Sequence, residues 1–354
     1  MSALARPFEE IAGDVRRVVR AGIALADARD EALVSSLVAS TRLSREGVLH
    51  AFDVALERDV TDEELRRLVA LVRPAEAVTV VLAANVLTAV VRAVALALAA
   101  SSRVYVRPSR RDPTFARALI ATLADPRVTL VADLATRPGV VHAYGRDSTM
   151  HALVATTRMP VWAHGAGLSV AVVGLDTSVS YAARAVADDG IVFDQRGCLS
   201  PRVAFVVGNA ARAQAFGEAL MDELVQAARC VPPGDLDADE RAAIASARDV
   251  VLMCGEVVGS AGAMVAVMEA STVSVPLFPP GRHVVVVPAT DFADVRRKLA
   301  SFGRALVGVA SDDVRLARSV APAWARLALL GRLQRPRLDG PVDLRDVWLL
   351  PNEE

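Results

Sequence analysis

The segment Phe193-Asp194-Gln195-Arg196-Gly197-Cys198-Leu199-Ser200-Pro201 places a thiol in a tight turn between two apolar stretches. Gly197 allows close backbone approach, and Gln195 and Arg196 supply polar and cationic neighbours that favour thiolate over thiol, so Cys198 reads as a nucleophile. The competing fate of a cysteine is that of a small buried hydrophobe, and Val251-Leu252-Met253-Cys254 fits that description better.

Four further groups could carry chemistry. Asn85 follows an apolar run and precedes a helical pattern, where an amide can serve a developing oxyanion or simply cap the helix. Arg107-Pro108-Ser109-Arg110-Arg111 places cations directly after a β-branched run, suited to a cofactor phosphate or to a solvated charge cluster. In Tyr144-Gly145-Arg146-Asp147-Ser148, a strand-to-helix turn, Asp147 or Ser148 is the expected cap, and the amides near Gly145 and Ser148 are available to a pyrophosphate. His164-Gly165-Ala166-Gly167 holds a fragment of a glycine fingerprint behind a histidine, which is either an acid/base or a hydrogen-bonded strand end.

Such residues need a scaffold that brings loop ends together. The 354 residues suffice for about two domains. With 53% hydrophobic but only 4% aromatic residues, the core must be built from Ala, Val and Leu, as in helix-covered parallel sheets. Residues 8–73 carry helical periodicity, with Ser44-Arg45-Glu46 and a Thr61/Glu64 capping box as helix starts. From Val78 short β-branched runs (78–82, 103–106, 128–131, 140–143, 161–163, 170–173) alternate with helices near 86–100, 113–124 and 147–158, the pattern of a doubly wound sheet. A second series comes after it: helix 177–187, strand 203–207, helix 210–229, a break at Val231-Pro232-Pro233-Gly234, helix 237–247, strand 284–287 and helix 291–300.

Charge excludes other classes. The 40 basic and 41 acidic side chains nearly cancel, leaving no global field for nucleic acid. Three cysteines without a CxxC or Cys/His array argue against a disulfide framework or a metal site and place the chain in a reducing cytoplasm. The N-terminus lacks the order of a secretory signal. The apolar stretch from Val78 to Ala100 contains Asn85, Thr88 and Arg92 and reads as a strand plus a buried helix, not a membrane span.

The order of these pieces, Asn, a basic Pro-Ser turn, a Tyr-Gly turn, a His-Gly-x-Gly turn and then Cys, resembles the aldehyde dehydrogenase superfamily. The interval of 34 residues from His164 to Cys198 is similar to that superfamily's Glu-to-Cys spacing. Within it, Leu43-Ser44-Arg45-Glu46, the block from Asn85 to Ser109, Asp194-Gln195 through Cys198-Leu199-Ser200-Pro201 and, more faintly, Gly331-Arg332-Leu333-Gln334-Arg335-Pro336 resemble the acyl-CoA reductase family typified by the reductase component of bacterial bioluminescence (LuxC-type).

The resemblance implies an α/β, aldehyde dehydrogenase-like fold: two doubly wound domains with an N-terminal helical segment. The boundaries expected are 1–75 for that segment, packed on the cofactor domain, 76–169 for the dinucleotide-binding domain, 170–310 for the cysteine domain and 311–354 for a return or tail. It implies reduction of an acyl thioester, on CoA or on a carrier protein, to an aldehyde through a Cys198 acyl-enzyme. Asn85 and the Cys198 backbone N–H would hold the oxyanion, and His164 would deliver or remove the proton. Arg107, Ser109, Arg110, Gly145 and Ser148 would bind the cofactor. Arg110 stands where members that prefer NAD often carry an acid, which points to NADPH over NADH.

Departures from the pattern bear on the direction of reaction. His164 replaces the glutamate that activates water in aldehyde-oxidising members, which disfavours oxidative aldehyde dehydrogenase activity. Leu277-Phe278-Pro279-Pro280-Gly281-Arg282 occupies the region of a Glu-x-Phe-Gly-Pro segment without its glutamate. The chain is also short for the family, which bears on its acyl pocket and oligomer contacts; the partner expected besides the acyl thioester is a second copy in a homo-oligomer, and the alternative reading is a catalytically silent binding or scaffold member.

Overall fold

The computed structural model describes residues 6–349 apart from 135, 136, 261 and 273. They form two compact units, and the chain enters each more than once: the first comprises Met1–Thr41, Ala51–Ala166 and Arg337–Glu354, the second Arg42–His50 and Gly167–Pro336.

The first unit opens with helices α1 (Phe8–Ala28) and α2 (Glu31–Thr41), shares α3 (Arg45–Val54) with the second, and continues with α4 (Asp62–Leu71), whose start is the expected Thr61/Glu64 capping box. Its sheet is built by β1 (Val78–Val81), α5 (Ala89–Ala100), β2 (Val104–Arg107), α6 (Thr114–Leu123), β3 (Val128–Leu130), β4 (Val140–Tyr144), α7 (Asp147–Thr156) and β5 (Val161–His164). Strands β3-β2-β1-β4-β5 lie parallel in that order, the order of a dinucleotide fold, with its topological switch point between β1 and β4. Val81, Val141, Ala143, Val161 and Ala163 pack on Met150 and Leu153 of α7, as the two-residue period of parallel strands requires. The apolar stretch from Val78 to Ala100 is thus a strand and a helix, and among the described residues no helix is long and apolar enough to cross a membrane.

The second unit contains β6 (Leu168–Val173), α8 (Val179–Ile191), β7 (Pro201–Val207), α9 (Ala210–Cys230), α10 (Ala238–Val251), β8 (Gly255–Ser260), β9 (Ala263–Met268), β10 (His283–Ala289), α11 (Phe292–Leu299), β11 (Leu306–Ser311), α12 (Val314–Val320) and β12 (Arg326–Leu329). Its sheet runs β12-β11-β6-β7-β10-β9-β8, parallel except for the β8–β9 hairpin at one edge. Val203, Phe205 and Val207 of β7 face the cluster that includes Ile244, Val295 and Ala317 from α10, α11 and α12. On the other side Gly217 lets α9 lie close to β9, because a Cβ there would stand 2.5 Å from a Val267 methyl.

Several expectations need correction. Residues 311–354, expected as a return or tail, divide: α12 and β12 belong to the second unit, while β13 (Trp348–Leu349) returns to pair antiparallel with β5 at the edge of the first sheet. The segment 42–50 leaves the N-terminal helices for the second unit, where Ser44 Oγ donates to Pro232 O. Strands β8, β9, β11 and β12 are additional to those the sequence pattern predicts. Cys254 is half-buried, against the fully buried role expected of it.

Candidate active site

In the first unit, parallel register brings the segments after β1, β2, β4 and β5 to one carboxyl edge, where ligands of doubly wound sheets bind. Asn85 is exposed there. It is not the cap of α5, which starts at Ala89 behind Thr88, so the capping alternative falls away. Arg107 ends β2 and is half-buried, Ser109 Oγ accepts the Arg111 N–H in a local turn, and Arg110 and Arg111 are exposed. Among the described residues the side chains of Arg107 and Arg110 have no protein partner, so their charge is available to an anion.

The turn after β4 differs from expectation. Neither Asp147 nor Ser148 caps α7. Arg146 holds the cap position, with no side-chain cap bond, and Asp147 Oδ1 instead accepts the Ala166 N–H at 3.0 Å. That bond explains Gly165, where a Cβ would stand 2.4 Å from the same oxygen. Gly145 has φ 155°, open to glycine alone at low cost, and brings the backbone to the switch point. Arg146, an exposed cation at a helix N-terminus beside the central strand, is a further cofactor-binding candidate that the sequence pattern of this turn does not single out.

His164 ends β5 as expected, but its surroundings were not legible. The ring stacks on Tyr144 at 4.4 Å between centroids and continues a face shared with His142 and Trp162. Both of its ring nitrogens are buried without a hydrogen-bond partner. Burial, reinforced by the nearby His142 and Arg345, holds its pKa well below the ordinary histidine value, so the ring is neutral at pH 7.

In the second unit Cys198 lies at the amino edge of the sheet, just before β7. The thiol is half-buried. Before it stand three consecutive non-glycine residues in the left-handed region, Phe193 (φ 56°), Asp194 (φ 48°) and Gln195 (φ 62°). Each costs about 1–2 kcal/mol against ordinary backbone. Buried bonds offset that cost. Asp194 accepts from Arg282 Nε at 2.8 Å and from Gly234 N at 2.9 Å. Gln195 Nε2 donates to Pro201 O and His283 O, both at 2.7 Å, and its Oε1 accepts from His283 N at 2.9 Å. At about 0.5–1.5 kcal/mol for a neutral bond and about 1.5–3 for a charged one, these balance the strain.

Beyond the thiol, Ser169 Oγ donates to Cys198 O at 2.9 Å, and Gln334 Nε2 donates to Ser200 Oγ and Asp189 O, both at 3.1 Å. Arg202 donates to Phe278 O, and burial brings its pKa down to about 10, leaving it cationic at neutral pH. Three stretches scattered through the sequence thus meet around this turn: 43–46 through Pro232, 194–201 itself, and 331–336 through Gln334. The arrangement presents one thiol from a bonded turn with Arg196 beside it and Arg202 on the strand behind, which makes Cys198 the candidate nucleophile.

A family model described as acyl-CoA reductase (LuxC) matches residues 16–322. No curated protein matches the chain. Among solved structures, an oxidoreductase from Marinobacter aquaeolei superposes with a TM-score of 0.71 at 14% identity, covering 94% of this chain and 79% of its own. A NAD-dependent benzaldehyde dehydrogenase from Corynebacterium glutamicum gives 0.67 at 16%, covering 97% and 86%. An aldehyde dehydrogenase from Mycobacterium tuberculosis complexed with NAD+ gives 0.65 at 13%, covering 92% and 77%. At such identities the similarity is one of fold.

Proposed function

Because the chain belongs to the acyl-CoA reductase (LuxC) family, a family of oxidoreductases, we propose that it reduces an acyl thioester to an aldehyde through an acyl-enzyme on Cys198. The observation that carries the reading is the Cys198 turn, strained before the thiol and bonded on both sides. In this reading the Cys198 thiolate attacks the thioester carbonyl, forming a C–S bond to the enzyme. The oxyanion is held by the Asn85 amide and the Cys198 backbone N–H until the CoA or carrier thiolate leaves.

The first unit fits a nicotinamide dinucleotide: strand order β3-β2-β1-β4-β5, a glycine at the switch point, and cations at its carboxyl edge. When bound in reduced form, such a cofactor supplies a hydride to the acyl carbon. Arg107, Arg110 and Arg146 would hold its phosphates, with Ser109, Gly145 and Ser148 closing the backbone around them, and Arg110 favours NADPH over NADH. After reduction Cys198 is the leaving group and returns to thiolate. His164, held neutral by burial, is the candidate to deliver or remove a proton in the later steps. A reducing, cytoplasmic compartment would keep Cys198 in the form this chemistry uses.

Intact mass spectrometry after mixing with a panel of acyl-CoAs, without cofactor, tests the reading. The expected result is one acyl group per chain, lost as aldehyde when NADPH is added. Absence of an adduct across the panel sinks it, and a stable adduct that NADPH does not discharge removes the reductive step.

A further inference from the structure

The most heavily determined feature of the second unit is a charged pair with almost no exposed surface: Arg282 is 1% exposed and Asp194 4%. Burying a guanidinium is costly unless its donors are filled, and a well-packed apolar pair would commonly be as stable. Here the donors are filled by backbone as well as by carboxylate. Arg282 Nε and Nη2 lie 2.8 and 2.7 Å from Asp194 Oδ1, Nη1 donates to Val231 O at 2.7 Å, and Nη2 to Pro232 O at 3.2 Å.

An apolar pair has no directional bond with which to fix a backbone. Asp194 is the middle residue of the left-handed run 193–195, and Arg282 itself has φ 64°, so the ion pair joins two strained backbones. Gln195 adds its bonds to His283, the neighbour of Arg282, and to Pro201 beyond the thiol. Arg196, Gly197 and Cys198 are therefore held between Asp194 and Gln195, anchored at 282–283, and Pro201, which Gln195 Nε2 bonds from across the thiol.

We infer that Arg282 is a positioning residue for Cys198: its bond to Asp194 holds residues 193–195 left-handed and so fixes the turn from which the thiol is presented. The inference rests on the reading of Cys198 as the nucleophile. It is tested without any acyl thioester, by following alkylation of Cys198 with iodoacetamide across pH, with exposed Cys230 of the same chain as internal reference. Arg196 and Arg202 are the other charged groups on the turn and on the strand behind it, and both stay in place in the variants.

Asp194→Asn keeps the size and the tolerance for left-handed backbone but removes a negative charge. If Asp194 acted through its charge alone, its loss would speed alkylation of Cys198. Positioning gives the opposite sign: the Cys198-to-Cys230 rate ratio at pH 7 falls, by about tenfold. Arg282→Lys keeps the charge but loses the fork, so the same fall is expected.

An unchanged Cys198-to-Cys230 rate ratio in either folded variant, or a raised ratio in Asp194→Asn, overturns the inference. Where Asp194→Asn does not melt cooperatively, Arg282→Lys decides alone. Lack of acylation of the wild-type protein by acyl-CoAs would remove the functional reading and leave the alkylation result to stand on its own.

Discussion

The carboxyl edge of the first unit's sheet and the cysteine turn of the second are built on opposite terms. At the first, the candidate side chains Asn85, Arg110 and Arg146 are exposed, and neither Arg107 nor Arg110 has a protein partner among the described residues. At the second, Asp194, Gln195 and Ser200 are buried, and each is bonded to a distant segment. On the proposed reading, a surface that receives an exchangeable ligand leaves its charges unpaired, whereas a nucleophile that attacks from one direction is over-determined by its surroundings. Substitutions should fail differently: in binding at the arginines of the first, in rate at the turn of the second.

The largest effect belongs to Cys198 itself. Cys198→Ala is expected to abolish both the acyl adduct and aldehyde formation while leaving the thermal melt nearly unchanged, since the thiol is only half-buried and no core is emptied. An adduct that persists, seen by intact mass, would move the nucleophile to Cys230 or Cys254 and dissolve the comparison. Asn85→Ala should slow acylation by about a hundredfold, the scale of one oxyanion donor. Its melting temperature should move little, because Asn85 is exposed and is not the cap of α5. A normal single-turnover rate would take Asn85 out of the chemistry.

Cofactor choice tests the other side of the comparison. A ribose 2′-phosphate near Arg107 and Arg110 would gain charge-assisted bonds of about 1.5–3 kcal/mol, or roughly tenfold to a hundredfold in affinity for NADPH over NADH. Arg110→Glu should erase most of that preference through like-charge repulsion. Fluorescence titration with both dinucleotides checks it, and equal affinities in the wild type would return these arginines to a solvated cluster.

The fold was legible where physics is local. Alternating β-branched runs and helices announce doubly wound sheets, the Thr61/Glu64 box marks a helix start to the residue, and Gly197-Cys198 marks a turn. The β8–β9 hairpin escaped because Gly255 and Gly259 break its strand pattern, and the short Leu306–Ser311 strand because it comes after a helix with only six residues between. What holds the thiol was invisible for another reason: Arg282 lies 88 residues from Asp194, and no local rule links an arginine after a Pro-Pro-Gly turn to an aspartate beside a cysteine. His164 was placed correctly at its strand end, yet its neutrality arises from burial that only packing creates.

The smallest expected effect concerns pH, where the two units again take opposite signs. In the first, burial pushes His142 down to about 4, so between there and the ordinary value of 6.5 the unfolded chain binds a proton that the native one does not, and stability is lost as pH falls through that window. In the second, burial pushes Asp189 up to about 7 despite hydrogen bonds from the backbone of Leu333, Gln334 and Gly331. There the native state holds the extra proton between about 4 and 7, so stability is lost as pH rises and the full penalty is present above about 7. Asp189→Asn keeps an oxygen for those amides and has no proton to lose. It should match the wild type near pH 4 and exceed it at pH 8 by a few kcal/mol at most, or about 2–4 °C of melting temperature for each kcal/mol in a unit of this size. Thermal melts of both proteins at the two pH values decide it. An Asp189→Asn variant that is no more stable than the wild type at pH 8 would mean that those amides already hold Asp189 as a carboxylate, and that the second unit resists alkali as well as the first.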